Sequence, residues 1–164
     1  MKRLVLLMIV LAILPIAVFA DLGFGAAAFL KSPVLIGEPI DATNLNVEQF
    51  TFGGDGRLRL GAFQAEALLL LSAGDVNSLN LYLDAGLALD IAILTLSVGA
   101  GPNLTTNFGE SRALQAGFNA KAGADIRLGQ ISFGLSYIML MNLDNGVAVR
   151  TRSGLLGAQV IFWF

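Results

Sequence analysis

The chain has 164 residues, of which 55% are hydrophobic and only 13% are charged, and its mean hydropathy is +0.74. These values exclude an ordinary soluble domain and indicate a protein that folds in a membrane. The chain has no cysteine and no histidine, so it lacks disulfides, thiol nucleophiles and the commonest general base and metal ligand. Its net charge of −2, without a basic run, argues against nucleic acid as a partner, and we predict no cofactor.

The first twenty residues have the pattern of a secretory signal peptide. A basic pair, Lys2 and Arg3, precedes an apolar stretch that ends in small residues at Ala20. We predict cleavage after Ala20, which makes residues 1–20 the signal peptide and 21–164 the mature barrel domain. The alternative is an uncleaved anchor helix, which the short length of the stretch disfavours.

Period-two alternation of apolar and less apolar residues predicts eight strands in the rest of the chain. In chain order they are Leu22–Lys31, Gln49–Leu60, Phe63–Leu71, Ser78–Leu89, Ile93–Leu104, Ala113–Ile126, Gln130–Met141 and Gly154–Phe164. Short turns follow strands two, four and six, whereas longer connections, such as 32–48 and 142–151, follow the other strands. This asymmetry is typical of outer-membrane barrels with periplasmic turns, external loops and both chain ends in the periplasm.

The predicted fold class is therefore all-β: an eight-stranded antiparallel up-and-down transmembrane barrel. The sheet must close because lipid excludes open sheet edges. A helical membrane protein is the alternative, since residues 79–101 form a long apolar run. A helix there would place Asp84 and Asp90 in hydrocarbon, where ionisable groups are costly, and it would leave the alternation elsewhere unexplained.

All charged residues within the predicted strands lie on the less apolar face. An Arg or Lys on a lipid-facing surface at mid-membrane would cost about 2–4 kcal/mol, so this face should line the barrel interior. Apart from Lys31, we predict that these residues form an interior charge network: Asp55, Arg57, Arg59, Glu66, Asp84, Lys121 and Asp125. The network either fills space and fixes strand register, which we favour, or provides a path for protons or ions.

Toward the predicted external end, the inward positions become apolar. They are Phe29, Leu68, Leu70, Tyr82, Ile138, Leu140 and Leu155. One interpretation is a hydrophobic funnel, open to the exterior, that binds a small apolar ligand. The other is a packed core, or a mouth covered by the 32–48 loop, in which Val34, Leu35 and Ile36 are also apolar.

The last strand places Val160, Phe162 and Phe164 on one apolar face. This tail resembles the closing strand of bacterial outer-membrane barrels, which ends in Phe. The resemblance implies that these three residues form a signal read by the barrel-assembly machinery. With its signal peptide, eight strands and apolar outer interior, the chain resembles OmpW-type barrels more than OmpX-type or OmpA-type barrels.

In OmpW-type barrels an apolar channel is thought to pass small hydrophobic molecules sideways into the membrane, through a wall weakened by proline. The resemblance makes Pro102 a candidate for such a lateral seam, because proline cannot donate a ladder hydrogen bond. The alternative is a proline that simply ends strand five.

The predicted function is passive binding or diffusion of small hydrophobic molecules by a protein of the bacterial outer membrane, in contact with its lipid. The alternative is a surface barrel whose external loops bind host or envelope partners. Enzymatic activity is disfavoured, because the inward-facing Ser97, Ser132 and Ser136 have no histidine base and no nucleophile motif.

Overall fold

The computed structural model describes residues 20–32, 34–35, 46–72, 77–108, 114–142 and 148–164, with the backbone alone for 142 and 148–153. Its main feature is an antiparallel sheet of eight long strands that closes on itself. The strands are β1 (Asp21–Leu30), β2 (Phe50–Leu60), β3 (Phe63–Ser72), β4 (Ser78–Ile91), β5 (Leu94–Asn107), β6 (Leu114–Leu128), β7 (Ile131–Asn142) and β8 (Ala148–Trp163). Each strand pairs with its neighbours in sequence, and β1 also pairs with β8. The predicted fold class is confirmed, whereas the predicted signal peptide, apart from Ala20, lies outside the described residues.

A two-residue strand, Val34–Leu35, lies within the segment predicted to be the first external loop. It pairs with Gly154 and Ser153 of β8, beyond the point where the pairing between β1 and β8 stops at Phe29 and Gly157. The phenol of Tyr137 donates a hydrogen bond of 2.9 Å to the Val34 carbonyl. Val34 and Leu35 therefore continue the pairing of β1 with β8 after a short interruption. A strand of two residues is too short to be recognised from alternation.

Two strands extend at least three residues beyond their predicted bounds. β5 continues past Pro102 to Asn107, and β8 begins at Ala148 rather than at Gly154. The interpretation that Pro102 ends its strand is therefore wrong. Polar residues continue the β5 ladder because pairing depends on backbone groups, whereas the prediction followed apolar side chains. The early part of β8 pairs with β7 after a register shift between Met139 and Met141.

Three tight turns connect β2 to β3, β4 to β5 and β6 to β7. Each turn has one residue in the left-handed region: Gly61 (φ 61°), Ala92 (φ 56°) and Gly129 (φ 65°). A positive φ matches the twist of two-residue hairpins, and glycine adopts it without steric cost. These turns lie at the same end of the barrel as the start of β1 and the end of β8. We call this the terminal end and the opposite one the loop end.

Burial alternates along the strands as the sequence predicted. In β3, for example, Gln64, Glu66, Leu68 and Leu70 are buried, and the residues between them are exposed. The segment predicted to be helical in the alternative interpretation forms β4 and β5 around the Ala92 turn, so that alternative is excluded. In the described part of the chain, no helix is long and apolar enough to cross a bilayer.

The outward face of the barrel is apolar over its whole circumference. Its large exposed side chains include Phe24, Phe52, Leu69, Leu83, Leu96, Phe118, Phe133 and Val160. Small residues lie between them, and Ala85, Ala100 and Ala120 are direct cross-strand neighbours on this face. The exterior therefore has the composition expected of a lipid-facing surface.

We expect Ala100→Arg to destabilise the barrel by about 2–4 kcal/mol, because a guanidinium at this height on the outward face would enter hydrocarbon. The measurement is urea unfolding of the barrel in lipid vesicles. Ala100→Leu is the matched control, since it adds bulk without charge and should leave stability nearly unchanged. Equal stability of the Arg and Leu variants would show that this face does not contact lipid.

Candidate functional site

The guanidinium of Arg57 is the centre of the polar interior. It is 2% exposed and donates to Asp55 at 2.9 and 3.1 Å and to Asp125 at 3.0 Å. Its Nε also lies 3.6 Å from a carboxylate oxygen of Glu66, the residue directly opposite on β3. One cation therefore contacts three carboxylates that come from three different strands.

The network continues from Glu66 toward β6 and β4. Lys121 forms a buried ion pair with Glu66, and the amide of Asn119 donates to Asp84. Glu66 and Asp84 are themselves cross-strand neighbours. We call Asp55, Arg57, Glu66, Asp84, Lys121 and Asp125 the ion network; it contains six of the seven predicted residues.

On the opposite wall, uncharged groups complete the network. Gln159 of β8 donates to Asp125 at 3.2 Å and accepts a hydrogen bond of 2.9 Å from Ser136. Gly134 makes room for these contacts, because a Cβ at this position would overlap the Asp125 carboxylate. The absence of a side chain at Gly134 is thus required by the charged group that it faces.

Arg59, the seventh predicted residue, belongs to a separate ion pair. Its two terminal nitrogens donate to both oxygens of Asp90 at 3.1 and 3.0 Å, and Thr95 donates to the same carboxylate at 2.6 Å. Asp90 lies beside the Ala92 turn, and its side chain is 55% exposed. Arg59 therefore joins β2 to the neighbouring hairpin at the terminal end and is not part of the central network.

Charges in the ion network do not balance. It contains four carboxylates and two cations, and Asp84 is the carboxylate whose observed partner is an amide instead of a cation. Three buried oxygens of this region have no hydrogen-bond partner within the described residues: Oδ1 of Asp55, Oδ2 of Asp84 and Oδ1 of Asn119. A cavity of about 10 Å³, bordered by Glu66, Asp84 and Lys121, has room for one water molecule there.

A layer of apolar side chains lies between the ion network and the loop end. It comprises Ala27, Phe29, Leu68, Leu70, Tyr82, Ile138 and Leu155, with Leu140 packed against it. Phe29, Leu68, Leu70 and Ile138 are completely buried. We call these residues the apolar layer. All seven predicted residues of the apolar outer interior are in it or touch it, and they contact one another rather than surround an open funnel.

Gly157 is the complement of the largest completely buried side chain in the apolar layer. It is the cross-strand partner of Phe29, and a Cβ at this position would overlap the phenyl ring. The ring therefore lies flat against the backbone of β8. This close packing is why an eight-stranded barrel can accommodate a phenylalanine in its interior without leaving a channel.

At the terminal end, Trp163 and Ile161 face inward and are buried, at 4% and 0% exposure. The indole nitrogen donates to Ser132 at 3.0 Å, and the guanidinium of Arg127 lies 4.9 Å from the centre of the ring. Arg127 also donates to Asp21 at 2.9 Å, which ties the start of β1 to the last part of β6. This end of the interior is therefore capped by an aromatic side chain.

Among the interior residues that sequence reasoning did not name as site residues are Asn119, Gln159, Ile161 and Trp163. The signal was present for the last three, because they alternate with the outward-facing Val160, Phe162 and Phe164 along one strand. For Asn119 the only signal was its place on the inward face of β6. Its role as the partner of Asp84 depends on a contact between residues 35 positions apart.

Pro102 coincides with a gap in the ladder between β4 and β5. Tyr82 pairs with Asn103, and pairing resumes only at Ala85 with Ala100, so the two intervening positions on each strand are skipped. On its other side, Pro102 is paired with Phe118 of β6. The missing N–H of proline accounts for an interruption on one side only.

Comparison with known proteins identifies the fold. No protein-family model matches the sequence, and no curated protein sequence matches it. Among solved structures, the chain is similar to the N-terminal β-barrel domain of Pseudomonas aeruginosa OprF (TM-score 0.62, 17% identity, covering 87% of this chain and 97% of that one). It is also similar to Ail, the attachment invasion locus protein of Yersinia pestis (TM-score 0.57, 13% identity, 88% and 97% covered).

Neisserial surface protein A is a third match, with a TM-score of 0.48, 16% identity and coverage of 88% and 97%. At these identities the likeness to OprF and Ail shows a shared fold: the closed eight-stranded barrel of small outer-membrane proteins. It does not single out OmpW-type barrels, so that finer resemblance stays a prediction from sequence.

We expect Arg57→Met to destabilise the folded barrel by about 3–5 kcal/mol, because three buried carboxylates would lose their shared cation. The measurement is again unfolding in lipid vesicles at neutral pH. Arg127→Met is the matched control: its ion pair is partly exposed, and its removal should cost about 1 kcal/mol or less. Similar losses in the two variants would contradict a central role for Arg57.

Proposed function

We propose that this chain is a bacterial outer-membrane protein whose barrel is closed to solutes and serves as a rigid anchor that presents its loop end to partners. The observation that carries the proposal is the apolar layer, in which Phe29, Leu68, Leu70 and Ile138 are completely buried. A solute that entered from the loop end would have to displace these packed side chains. The interaction function is therefore favoured over the apolar funnel.

An outer-membrane location follows from the apolar exterior together with the fold. All described backbone in the wall is strand, and the closed sheet leaves no free edge, as a structure surrounded by lipid requires. We place the tight turns and both ends of the barrel chain in the periplasm, and the loop end outside the cell. The outer membrane's lipid is then the partner of the exterior surface.

The ion network closes the interior on the terminal side of the apolar layer in the same way. Its side chains bind one another across the barrel, and the cavity bordered by Glu66, Asp84 and Lys121 has a volume of only about 10 Å³. Ail, by its name an attachment protein, has the same fold. Which molecule this chain contacts does not follow from that likeness.

A second candidate function is the lateral passage of small hydrophobic molecules, and the ladder gap opposite Pro102 favours it. An interrupted ladder is a place where two strands separate at lower cost. Against this, the backbones are close at the gap, since a Cβ on Gly101 would overlap the carbonyl of Leu83. The closed state is therefore the resting state, and passage would need the strands to move apart.

One reconstitution experiment separates these two functions. For residues 21–164 in planar bilayers and liposomes, we expect no steady potassium chloride current. We also expect no faster uptake of arabinose, or of a small apolar dye, than in protein-free vesicles. A steady current or rapid arabinose uptake would overturn the closed barrel. Selective dye uptake that is lost in Pro102→Ala, which restores the ladder N–H, would favour the lateral seam.

The double variant Phe29→Ala with Leu70→Ala is the comparison for this experiment. It removes two completely buried side chains of the apolar layer and leaves the ion network intact. Intermittent current from this variant, with none from the unmodified barrel, would identify the apolar layer as the barrier. Folding of both proteins is first checked by circular dichroism and by heat-modifiable migration in electrophoresis.

We further propose that the end of β8 is recognised by the barrel-assembly machinery. Val160, Phe162 and Phe164 all face outward, and Phe164 packs against Phe162 and Phe24 with ring centres 5.0 and 6.4 Å apart. The Phe164 N–H also donates to the Leu22 carbonyl at 2.8 Å. This aromatic group lies at the terminal end, where the predicted signal must be accessible before the barrel closes.

We expect Phe164→Ala to reduce the folded fraction in cells severalfold while changing the stability of the barrel refolded in detergent by about 1 kcal/mol or less, since an exposed ring contributes little packing. Heat-modifiable migration of the membrane fraction measures assembly. Phe133→Ala removes another outward phenylalanine, at 51% exposure, and should assemble normally. Equal assembly of the two variants would argue against a signal at Phe164.

A further inference from the structure

Above the apolar layer, at the loop end, the interior opens into a small polar cavity. It has a volume of about 70 Å³ and is lined by Asn80, Tyr82, Asn103, Thr105, Gln115 and Leu140. We call this cavity the cup. Its polar residues are brought together by register, because Asn80 pairs with Thr105, Tyr82 with Asn103, and Thr105 with Gln115. The polar lining of the cup therefore comes from three adjacent strands, β4, β5 and β6, and Leu140 comes from β7.

The walls of the cup are held in place by hydrogen bonds. The hydroxyl of Thr105 donates to the Asn80 side-chain oxygen at 2.8 Å, and the amide of Asn103 donates weakly to the Phe118 carbonyl at 3.5 Å. Gly117 keeps the space open, since a Cβ at this position would lie 2.6 Å from the Asn103 side-chain oxygen. The cup thus exists before any ligand binds.

The phenol of Tyr82 lies at the floor of the cup. Tyr82 is 3% exposed and belongs to the apolar layer, yet its phenol makes no hydrogen bond within the described residues. Its oxygen is not sealed in protein, because it borders the cup. A phenol both donates and accepts hydrogen bonds, so this group is available to a molecule in the cup.

The chemistry of the lining selects among ligand classes. None of the cup residues is charged, so an ionic ligand would be desolvated there without a counter-charge. An apolar ligand would cover amides and hydroxyls and leave them unsatisfied. A neutral ligand with several hydroxyls suits the cup, because each hydroxyl both donates and accepts, as amide and phenol groups require. Its carbon skeleton can rest on Leu140 and the ring of Tyr82.

We infer that the cup binds one edge of a neutral sugar residue presented from outside the cell. A volume of about 70 Å³ holds several water-sized groups, which suits two or three hydroxyls of one sugar ring while the rest of the molecule projects outward. This inference rests on the proposed function, since it needs the loop end to face the exterior. It gives that surface a class of partner: a glycan with a terminal neutral sugar.

The test is an NMR titration of the ¹⁵N-labelled barrel in detergent micelles with glucose, galactose and N-acetylglucosamine, each to about 100 mM, and with glucuronate as the charged comparison. We expect a neutral sugar to shift the side-chain amide signals of Asn80, Asn103 and Gln115. Micelles remove any dependence on orientation. If the barrel conducts ions but still binds sugar, only the proposal of a closed anchor is wrong. If the barrel is closed but binds no sugar, only the inference about the cup is wrong.

Two variants test the lining, and a third is the control. Tyr82→Phe removes only the phenol oxygen and should weaken sugar binding about threefold to tenfold, the usual effect of one hydrogen bond. Asn103→Leu should abolish the shifts by replacing an amide with an apolar group. Ser97→Ala removes an inward hydroxyl near the ion network and should bind as the unmodified barrel does.

Three results would overturn the inference. One is the absence of shifts with every neutral sugar, which would mean that the cup holds water only. Another is stronger binding of glucuronate than of the neutral sugars. The third is a set of shifts that persists unchanged in Asn103→Leu, which would place the sugar elsewhere. Well-dispersed spectra of each variant establish that it is folded before its titration is interpreted.

Discussion

The contact of one guanidinium with three carboxylates is the interaction on which the interior depends. The side chains of Arg57, Asp55, Glu66 and Asp125 are all buried, with at most 4% exposed. Burying any one of these charges alone would cost several kcal/mol, so the group is stable only as a whole. Because its members come from β2, β3 and β6, the barrel cannot change register at these strands without separating buried charges. The network thus specifies how the sheet closes.

On the loop-end side of this network, the barrel interior is filled by apolar side chains instead of charged ones. The apolar layer relies on close packing, with Phe29 lying on Gly157, whereas the ion network relies on ion pairs and hydrogen bonds, with Asp125 facing Gly134. In both layers an inward-facing glycine lies opposite the largest or most demanding side chain. The interior of a narrow barrel has little spare volume, so a large group on one strand requires a small one on its neighbour.

The three layers of the interior also differ in what they can do. The ion network and the apolar layer have their side chains directed at one another, which suits a barrier and leaves little capacity for a ligand. The cup has unengaged polar groups, in particular the phenol of Tyr82, and it borders the loop end. Under the proposed function, recognition belongs to the cup, and the apolar layer and the ion network hold the cup rigidly in place.

The sequence by itself determined the strand count, the face of nearly every side chain and the position of the three tight turns. Each is a local property: alternation with period two assigns faces, and Gly61 and Gly129 mark two of the turns. Alternation also placed seven charges and seven apolar residues in the interior. It could not show that Arg59 pairs with Asp90 and lies outside the ion network, or that Asn119 is the partner of Asp84.

Only the tertiary structure decided which inward residues touch. Closure with a stagger brings Arg57 to Asp125, 68 positions away, and gathers Phe29, Ile138 and Leu155 into one apolar cluster. It also extended β8 back to Ala148 and added the strand Val34–Leu35, since backbone pairing continues where side-chain alternation fails. Whether the apolar residues form a funnel or a barrier depends on distances across the barrel. The register of all eight strands sets those distances, and no single strand contains that information.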